Sequence, residues 1–316
     1  MKYVFGPVNS SRLGRSLGID LLAKKICSFD CLYCEVGKTV IKTLKRDIYV
    51  DPEPILQELE QWFKSGYIVP DVITFGGSGE PCLNACLGFL AKEIKKRYNF
   101  PLALLTNSSL LTDENIFSEL EPFNFILPSL DSLVQEEFVK INRPVQGLGV
   151  KEIKQGLLNL KKFFNGKIFL EIFLLPHVND SKTNLALLKE FIVKFNPDRV
   201  DVVTLTRPGT YVHQAAPKQT LSLWKNELNI KKQSQPNFNS KKQKNKVNLH
   251  YNLSLKEIQS LVLSSLARRP QTKEDLSKAL GLSLKQVEEA INELEQKKQI
   301  VIQGEEDKNS FYRIRK

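Results

Sequence analysis

Short apolar runs recur along the first two thirds of the chain, at Leu17–Leu22, Val72–Phe75, Leu102–Thr106, Phe125–Ser129, Ile168–Leu174 and Arg199–Leu205. Between them the apolar positions follow helical spacing, over Pro54–Lys64, Leu87–Arg97, Asp113–Leu120, Val150–Phe164 and Asn184–Phe195. Pro52 and Pro54 suit the start of the first helix, where a missing N–H costs nothing. Thr112-Asp113-Glu114 has the composition of a capped entry to the third. Strands alternating with helices predict parallel βαβ units and an α/β fold. Six such repeats predict a partial (β/α)6 barrel of TIM type over residues 1–217, open along one side. The rim at the strand ends is where such barrels build their active sites.

Residues 218–250 break the rhythm. They hold eight lysines against one acid, Glu227, with Asn, Gln and Ser filling much of the rest. That composition predicts a basic, flexible, solvated linker, with helical potential around Leu221–Leu228. Periodicity returns over 251–316. Leu255–Leu266 is the first helix, and Thr272 caps a short second one ending near Gly281. Ser283 caps a long third helix, and Ile300–Ile302 and Phe311–Ile314 flank a polar turn. Helices followed by a hairpin in this order predict a winged-helix domain, a fold with little functional meaning by itself.

Composition narrows the function classes. Apolar residues make up 41% of the 316, enough for a sizeable core. No apolar run approaches the ~20 residues of a membrane span, and the N-terminal residues lack the apolar core of a signal peptide. The expectation is a cytoplasmic protein with no membrane partner. Five cysteines, three of them within eight positions, do not form a disulfide framework and point to a metal in a reducing compartment. Cys27, Cys31 and Cys34 are spaced C-x₃-C-x₂-C. Soft thiolates favour zinc, copper(I) or an iron–sulfur cluster. Structural zinc asks for four protein ligands, and no fourth cysteine or histidine lies close by in sequence. A four-iron cluster ordinarily takes four cysteines, so three would leave one iron open.

The cysteine motif, with Tyr33 before its last cysteine, is followed after the second strand by Gly76-Gly77-Ser78-Gly79-Glu80-Pro81. With these two motifs in this order the chain resembles the radical S-adenosylmethionine (SAM) enzymes. The opening Phe5-Gly6-Pro7-Val8 through Arg12-Leu13-Gly14-Arg15-Ser16-Leu17-Gly18-Ile19-Asp20 adds a resemblance, over residues 2–217, to an uncharacterised family of iron–sulfur oxidoreductases. That family is related to the wyosine-type tRNA-modifying synthases. The resemblance implies that Cys27, Cys31 and Cys34 hold a [4Fe–4S] cluster whose fourth iron is chelated by SAM. One electron, from a donor of flavodoxin or ferredoxin type, would cleave SAM into methionine and a 5′-deoxyadenosyl radical that removes hydrogen from a substrate. Tyr33 matches the aromatic residue near the adenine, and the turn carrying Gly76, Gly77, Gly79 and Glu80 matches the one that meets the SAM amino group. The wyosine-type synthases carry a further cysteine set near the N-terminus, and this chain has no cysteine before Cys27.

Other strand-end residues extend the candidate cofactor site. Asn107, Ser129 and Asp131 offer short polar groups to a ribose or methionine moiety, although such residues also cap helices. Arg143 could bind a carboxylate of SAM or of an anionic substrate, or form a surface ion pair. Asn179 reaches either the nucleoside or the start of the next helix. Arg12 and Arg15 lie either across the barrel opening or against backbone carbonyls. Cys82 and Cys86 are too few for a second cluster and are expected to be structural thiols.

A net charge of +11 hints at a polyanionic partner, and the basic linker could tether tRNA or another RNA. The third C-terminal helix, however, holds Glu288, Glu289, Glu293 and Glu295, a poor match for a phosphate backbone. The leading expectation is a radical SAM enzyme modifying tRNA or RNA. The alternatives are the same chemistry on a protein or small metabolite, and a metal-containing winged-helix regulator.

Overall fold

A computed structural model describes residues 1–10, 12–65, 69–228, 253–303 and 310–315. The principal sheet forms from β1 (Val4–Ser10), β2 (Gly14–Ile19), β5 (Val72–Phe75), β6 (Leu102–Thr106), β7 (Phe125–Pro128), β8 (Lys167–Phe173) and β9 (Arg199–Val203). Two short strands, β3 (Ile26–Cys27) and β4 (Ile41–Lys42), form a separate parallel pair. The order across the principal sheet is β1-β2-β5-β6-β7-β8-β9. Every pairing from β2 onward is parallel, and β1 is antiparallel to β2. The sheet curls into a half-barrel whose outermost strands, β1 and β9, remain unpaired with each other.

The six predicted strands are therefore present. The sequence pattern missed β1, whose VFGPVNS interrupts its apolar residues with glycine, proline and asparagine. Between the strands run α1 (Pro52–Lys64), α2 (Leu87–Arg97), α3 (Ile116–Leu120), α4 (Gln135–Asn142), α5 (Val150–Phe163) and α6 (Lys182–Phe195). The first begins at Pro52 with Asp51 as its cap position, two residues before the expected start. The third is shorter than its pattern, and α4, eight residues long, was not anticipated.

Alternation along each strand sorts side chains to two faces. Leu17, Ile19, Ile73, Phe75, Leu104 and Ile126 point outward into a large core shared with the helices. Leu13, Val72, Ala103, Phe125, Leu127 and Phe169 form a separate apolar cluster that fills the base of the half-barrel. Above it the lining becomes polar, with Ser16 Oγ donating to Thr74 Oγ1 at 2.6 Å.

Helix α7 (Lys218–Leu228) occupies the start of the stretch expected to be linker. Trp224 and Leu228 are buried in the main core, and α7 packs on α6 and β9. Residues 229–250 of that stretch lie outside the described residues.

The C-terminal residues form α8 (Leu255–Leu266), α9 (Lys273–Leu280), α10 (Leu284–Gln296) and an antiparallel pair, β10 (Ile300–Gln303) and β11 (Phe311–Ile314). The expected caps are in place: Thr272 accepts from Asp275 N, and Ser283 with Gln286 forms a capping box. Ile258, Val262, Leu276, Val287, Ile291, Leu294 and Tyr312 give these elements a core of their own. This body touches the half-barrel at both margins. Helices α8 and α9 pack on β1, and Arg268 Nη2 donates to Lys2 O at 2.6 Å. Beyond β9, Arg207 Nη2 pairs with Asp275 Oδ2 at 3.0 Å. The open side between β1 and β9 is thus spanned by the C-terminal body.

Because Trp224 is 2% exposed inside the main core, Trp224→Ala is expected to cost about 3–5 kcal/mol of stability. Urea unfolding monitored by circular dichroism checks this; a loss below about 1 kcal/mol would place α7 outside the folded unit.

Candidate metal centre and cofactor site

The cysteine loop leaves the end of β2 and is fixed on three sides. On the first, Thr43 N donates to Cys27 O at 3.1 Å and Val40 N to Lys25 O at 2.9 Å, folding the loop back on itself. On the second, the glycine turn after β5 abuts it. Glu80 N donates to Ile26 O at 3.2 Å, and a Cβ on Gly79 would lie 1.7 Å from that same oxygen. Only a residue without a side chain permits that approach. On the third, Leu32 N donates to Ile141 O at 2.9 Å, Asp30 N to Asn142 O at 3.0 Å, and Val145 N to Ser28 O at 2.9 Å. The unanticipated α4 is therefore what holds the loop on this side.

Each thiol has its own polar neighbour. Lys25 Nζ lies 3.0 Å from Cys34 Sγ, Asn107 Nδ2 3.4 Å from Cys27 Sγ, and Asn142 Nδ2 3.5 Å from Cys31 Sγ. Burial disfavours the Lys25 ammonium, but attraction to Cys34, Cys27 and Cys31 outweighs that and raises its pKa. Lys25 thus touches Cys34 and is attracted by Cys27 and Cys31 on the same loop. Burial pushes the Cys27 thiol up to about 11, with Lys25 opposing, so a metal binding there must displace its proton. Asn142 Oδ1 is buried without a hydrogen-bond partner, an unmet acceptor next to Cys31.

Among the described residues, no three His, Cys, Asp or Glu side chains are arranged to hold a single metal ion. A cluster asks for something different: thiolates on separate irons of one body, with donors to sulfur setting its potential. Three soft ligands, three donors to sulfur and a glycine that admits close approach fit a [4Fe–4S] group.

The remaining candidates fall into two groups. Gly76 and Gly77 line a cavity inside the half-barrel, directly beside the cysteine loop. Glu80 is buried and turned inward, accepting from Asn107 N at 2.6 Å, Thr106 Oγ1 at 2.8 Å and Cys82 N at 3.1 Å. Asn107 also donates to Ser28 Oγ at 2.9 Å, so Glu80 positions the asparagine that faces Cys27. Ser129 bridges to Glu171 across the sheet, and its carbonyl accepts from Ser108 Oγ.

Tyr33, Asp131 and Asn179 form one internal network. Tyr33 Oη donates to Asp131 Oδ2 at 2.7 Å, and its ring stacks on Phe173 at 3.9 Å. Asp131 also accepts from Asn142 Nδ2 at 2.6 Å and Phe173 N at 2.8 Å. Burial raises the Asp131 pKa, and the hydrogen bonds from Tyr33, Asn142 and Phe173 oppose that shift. Asn179 donates to Asp131 O and Phe173 O and accepts from Leu175 N, so its amide braces the strand-end loop from within. Arg143 ends α4 in the left-handed conformation, 3.7 Å from Asp30 and 4.4 Å over the Tyr211 ring.

Arg12 reaches across the half-barrel to an ion pair with Glu171 on β8, whereas Arg15 pairs with Asp71 at 3.0 Å. Neither arginine is held in the way the backbone-carbonyl reading expected. Cys82 is wholly buried, and Cys86 packs against the same core. Sequence reasoning assigned no role to Lys25, Asn142, Asp20 or Arg268. The one available signal was Lys25, a cation two positions before the first cysteine. Asp20 is 1% exposed and takes Ser78 Oγ at 2.5 Å and Arg268 Nη2 at 3.0 Å, linking the glycine turn to the C-terminal body.

The family model described as the radical SAM superfamily matches residues 24–188, more than half of the chain. A UPF0026 protein of Methanocaldococcus jannaschii is 32% identical over 221 residues, covering 69% of this chain and 68% of that one. A protein of Brachyspira hyodysenteriae named GTPase Obg is 38% identical over 206 residues, and the match spans 65% of this chain but only 30% of that relative. Among solved structures, a radical SAM methyltransferase from Sphaerobacter thermophilus covers 67% of this chain and 62% of its own, at 14% identity and a TM-score of 0.48.

Replacing Gly79 by alanine forces Ile26 and the cysteine loop apart. Gly79→Ala is expected to lower iron incorporation severalfold after anaerobic reconstitution. Iron and sulfide content at wild-type level would show that the contact between turn and loop does not shape the centre.

Proposed function

This chain belongs to the radical SAM superfamily and to the UPF0026 family, and we propose that it is an enzyme that cleaves SAM reductively. In this reading Cys27, Cys31 and Cys34 hold a [4Fe–4S] cluster and leave one iron to SAM. When bound, that pair supplies the electron transfer and bond cleavage that yield methionine and a 5′-deoxyadenosyl radical. The observation that carries the reading is the set of three thiols on one loop, each with its own N–H donor, pressed against the glycine turn.

The chain's own residues have distinct tasks. Lys25, Asn107 and Asn142 place positive charge or N–H groups beside the sulfurs, which favours the reduced, more negative cluster. Gly76 and Gly77 let a ligand approach the backbone at the end of β5. Tyr33 and Phe173, stacked and tied to Asp131, offer an aromatic wall near the cluster loop. Asn107, Ser129, Asp131, Arg143 and Asn179 complete the proposed cofactor surroundings. Asp131 and Asn179 do so as internal braces rather than by direct contact. A one-electron donor of flavodoxin or ferredoxin type would act at the loop's outer side.

For the substrate we infer a polyanion, with tRNA or another RNA favoured by the net charge of +11 and its concentration in 218–250. The C-terminal body, read as a winged helix, would dock the substrate rather than read a groove, because α10 is acidic. A small anionic metabolite is the second reading, supported by a cavity of about 210 Å³ inside the half-barrel.

With dithionite, the anaerobically reconstituted protein is expected to release 5′-deoxyadenosine from SAM, and Cys34→Ala to reduce that release to background. Product formation undiminished in Cys34→Ala would refute the ligand assignment. Nucleosides from total tRNA of cells with and without the protein, compared by mass spectrometry, are expected to differ in one modified species; identical profiles would count against the tRNA reading.

A further inference from the structure

The cavity beside Gly76 and Gly77 is lined on one side by β2 and β5 and on the other by residues from the opposite end of the chain, Arg268 and Arg269. Arg12 reaches into it from the β1–β2 turn, and Glu35, just after the last motif cysteine, contributes the acidic side chain. Four guanidinium groups gather at this margin: Arg12, Arg207, Arg268 and Arg269. Three of them have carboxylate partners. Arg12 pairs with Glu171, Arg207 with Asp275, and Arg268 with Asp20.

Arg269 is different. Its Nε is buried with no hydrogen-bond partner, as are those of Arg207 and Arg268, but unlike them it has, among the described residues, no carboxylate within ion-pair distance. Burial, followed by repulsion from Arg207, lowers its pKa to about 10, although Glu35 and Asp275 attract it. At neutral pH it remains charged. A part-buried cation without a direct partner is costly to keep, and this one lines the cavity. A planar guanidinium fork is matched by an oxyanion with two oxygens in one plane.

We propose that Arg269, assisted by Arg12 and Arg268, holds an oxyanion of the substrate in this cavity, so that the C-terminal body completes the substrate site. The inference rests on the radical SAM reading, which makes the half-barrel the reaction chamber. It adds the substrate's chemical class and the part of the chain that selects it. The ion pair of Arg268 with Asp20, itself bonded to Ser78 of the glycine turn, fixes the C-terminal arginines relative to the cofactor side of the cavity. A phosphate and a carboxylate would both satisfy Arg269.

The test uses the full-length reconstituted holoprotein and calorimetric titration with inorganic phosphate, with succinate and separately with SAM. Saturable binding of phosphate or succinate is expected, weakened about tenfold or more by Arg269→Gln and partly restored by Arg269→Lys. The anion that binds identifies the source. SAM affinity and substrate-free 5′-deoxyadenosine formation are expected to be unchanged in both variants. Anion binding that is absent in the wild type, or equal in Arg269→Gln, would overturn the proposal. So would a loss of SAM affinity in Arg269→Gln, because the oxyanion would then be the carboxylate of SAM. Should Arg269→Gln melt well below the wild type, Arg269→Lys alone decides, by weakened or unaltered anion binding. A wild type that binds the anion but forms no 5′-deoxyadenosine would sink the radical SAM reading and leave the anion site standing.

Discussion

The contact between Gly79 and the carbonyl of Ile26 sets the position of everything that acts in this molecule. A backbone oxygen sits where any other residue would place its Cβ, so the turn after β5 and the cysteine loop after β2 are locked at van der Waals distance. The adjacent hydrogen bond, Glu80 N to Ile26 O, adds direction to that contact. From there the loop runs to the C-terminal end of α4, where backbone N–H groups of Asp30 and Leu32 find carbonyls left unpaired at the helix end. Two elements far apart in sequence thus hold one short loop, and the thiols inherit their mutual placement from both.

Buried polar groups do the complementary work. Asp131 accepts from Tyr33, Asn142 and Phe173, and Asn179 bonds the backbone around it. A carboxylate that has lost its water needs such a set of donors, and satisfying it draws β7, β8, α4 and the cysteine loop to one point. The same Asn142 faces Cys31. Substituting any member would be felt by its neighbours, so under the proposed function these residues act as positioning groups rather than participants.

The parallel strands were legible because strands covered on both faces read as unbroken apolar runs. VITF and LALLT need no partner to be recognised. Strand β1 was hidden because its side chains face partly toward the C-terminal body, and glycine, proline and asparagine dilute its pattern. Helix α4 escaped because QEEFVKIN offers two turns and few core positions. The three cysteines stood out by spacing, and the glycine turn by the family motif that it resembles in company with them. Arg268 and Arg269 carried no such signal: they lie in the turn after α8, and only the fold brings them to Gly76 and Gly77. Arg143 shows the reverse, a conspicuous sequence feature whose side chain is taken up by Asp30 and Tyr211.

The central claim is that three thiolates leave one iron of a cluster free for SAM. The electron paramagnetic resonance spectrum of the reduced, reconstituted protein tests it directly, recorded before and after SAM is added. The account predicts a reduced [4Fe–4S] signal whose g-values shift on addition of SAM, because a ligand has joined the fourth iron. A cluster spectrum that SAM leaves unchanged would contradict it.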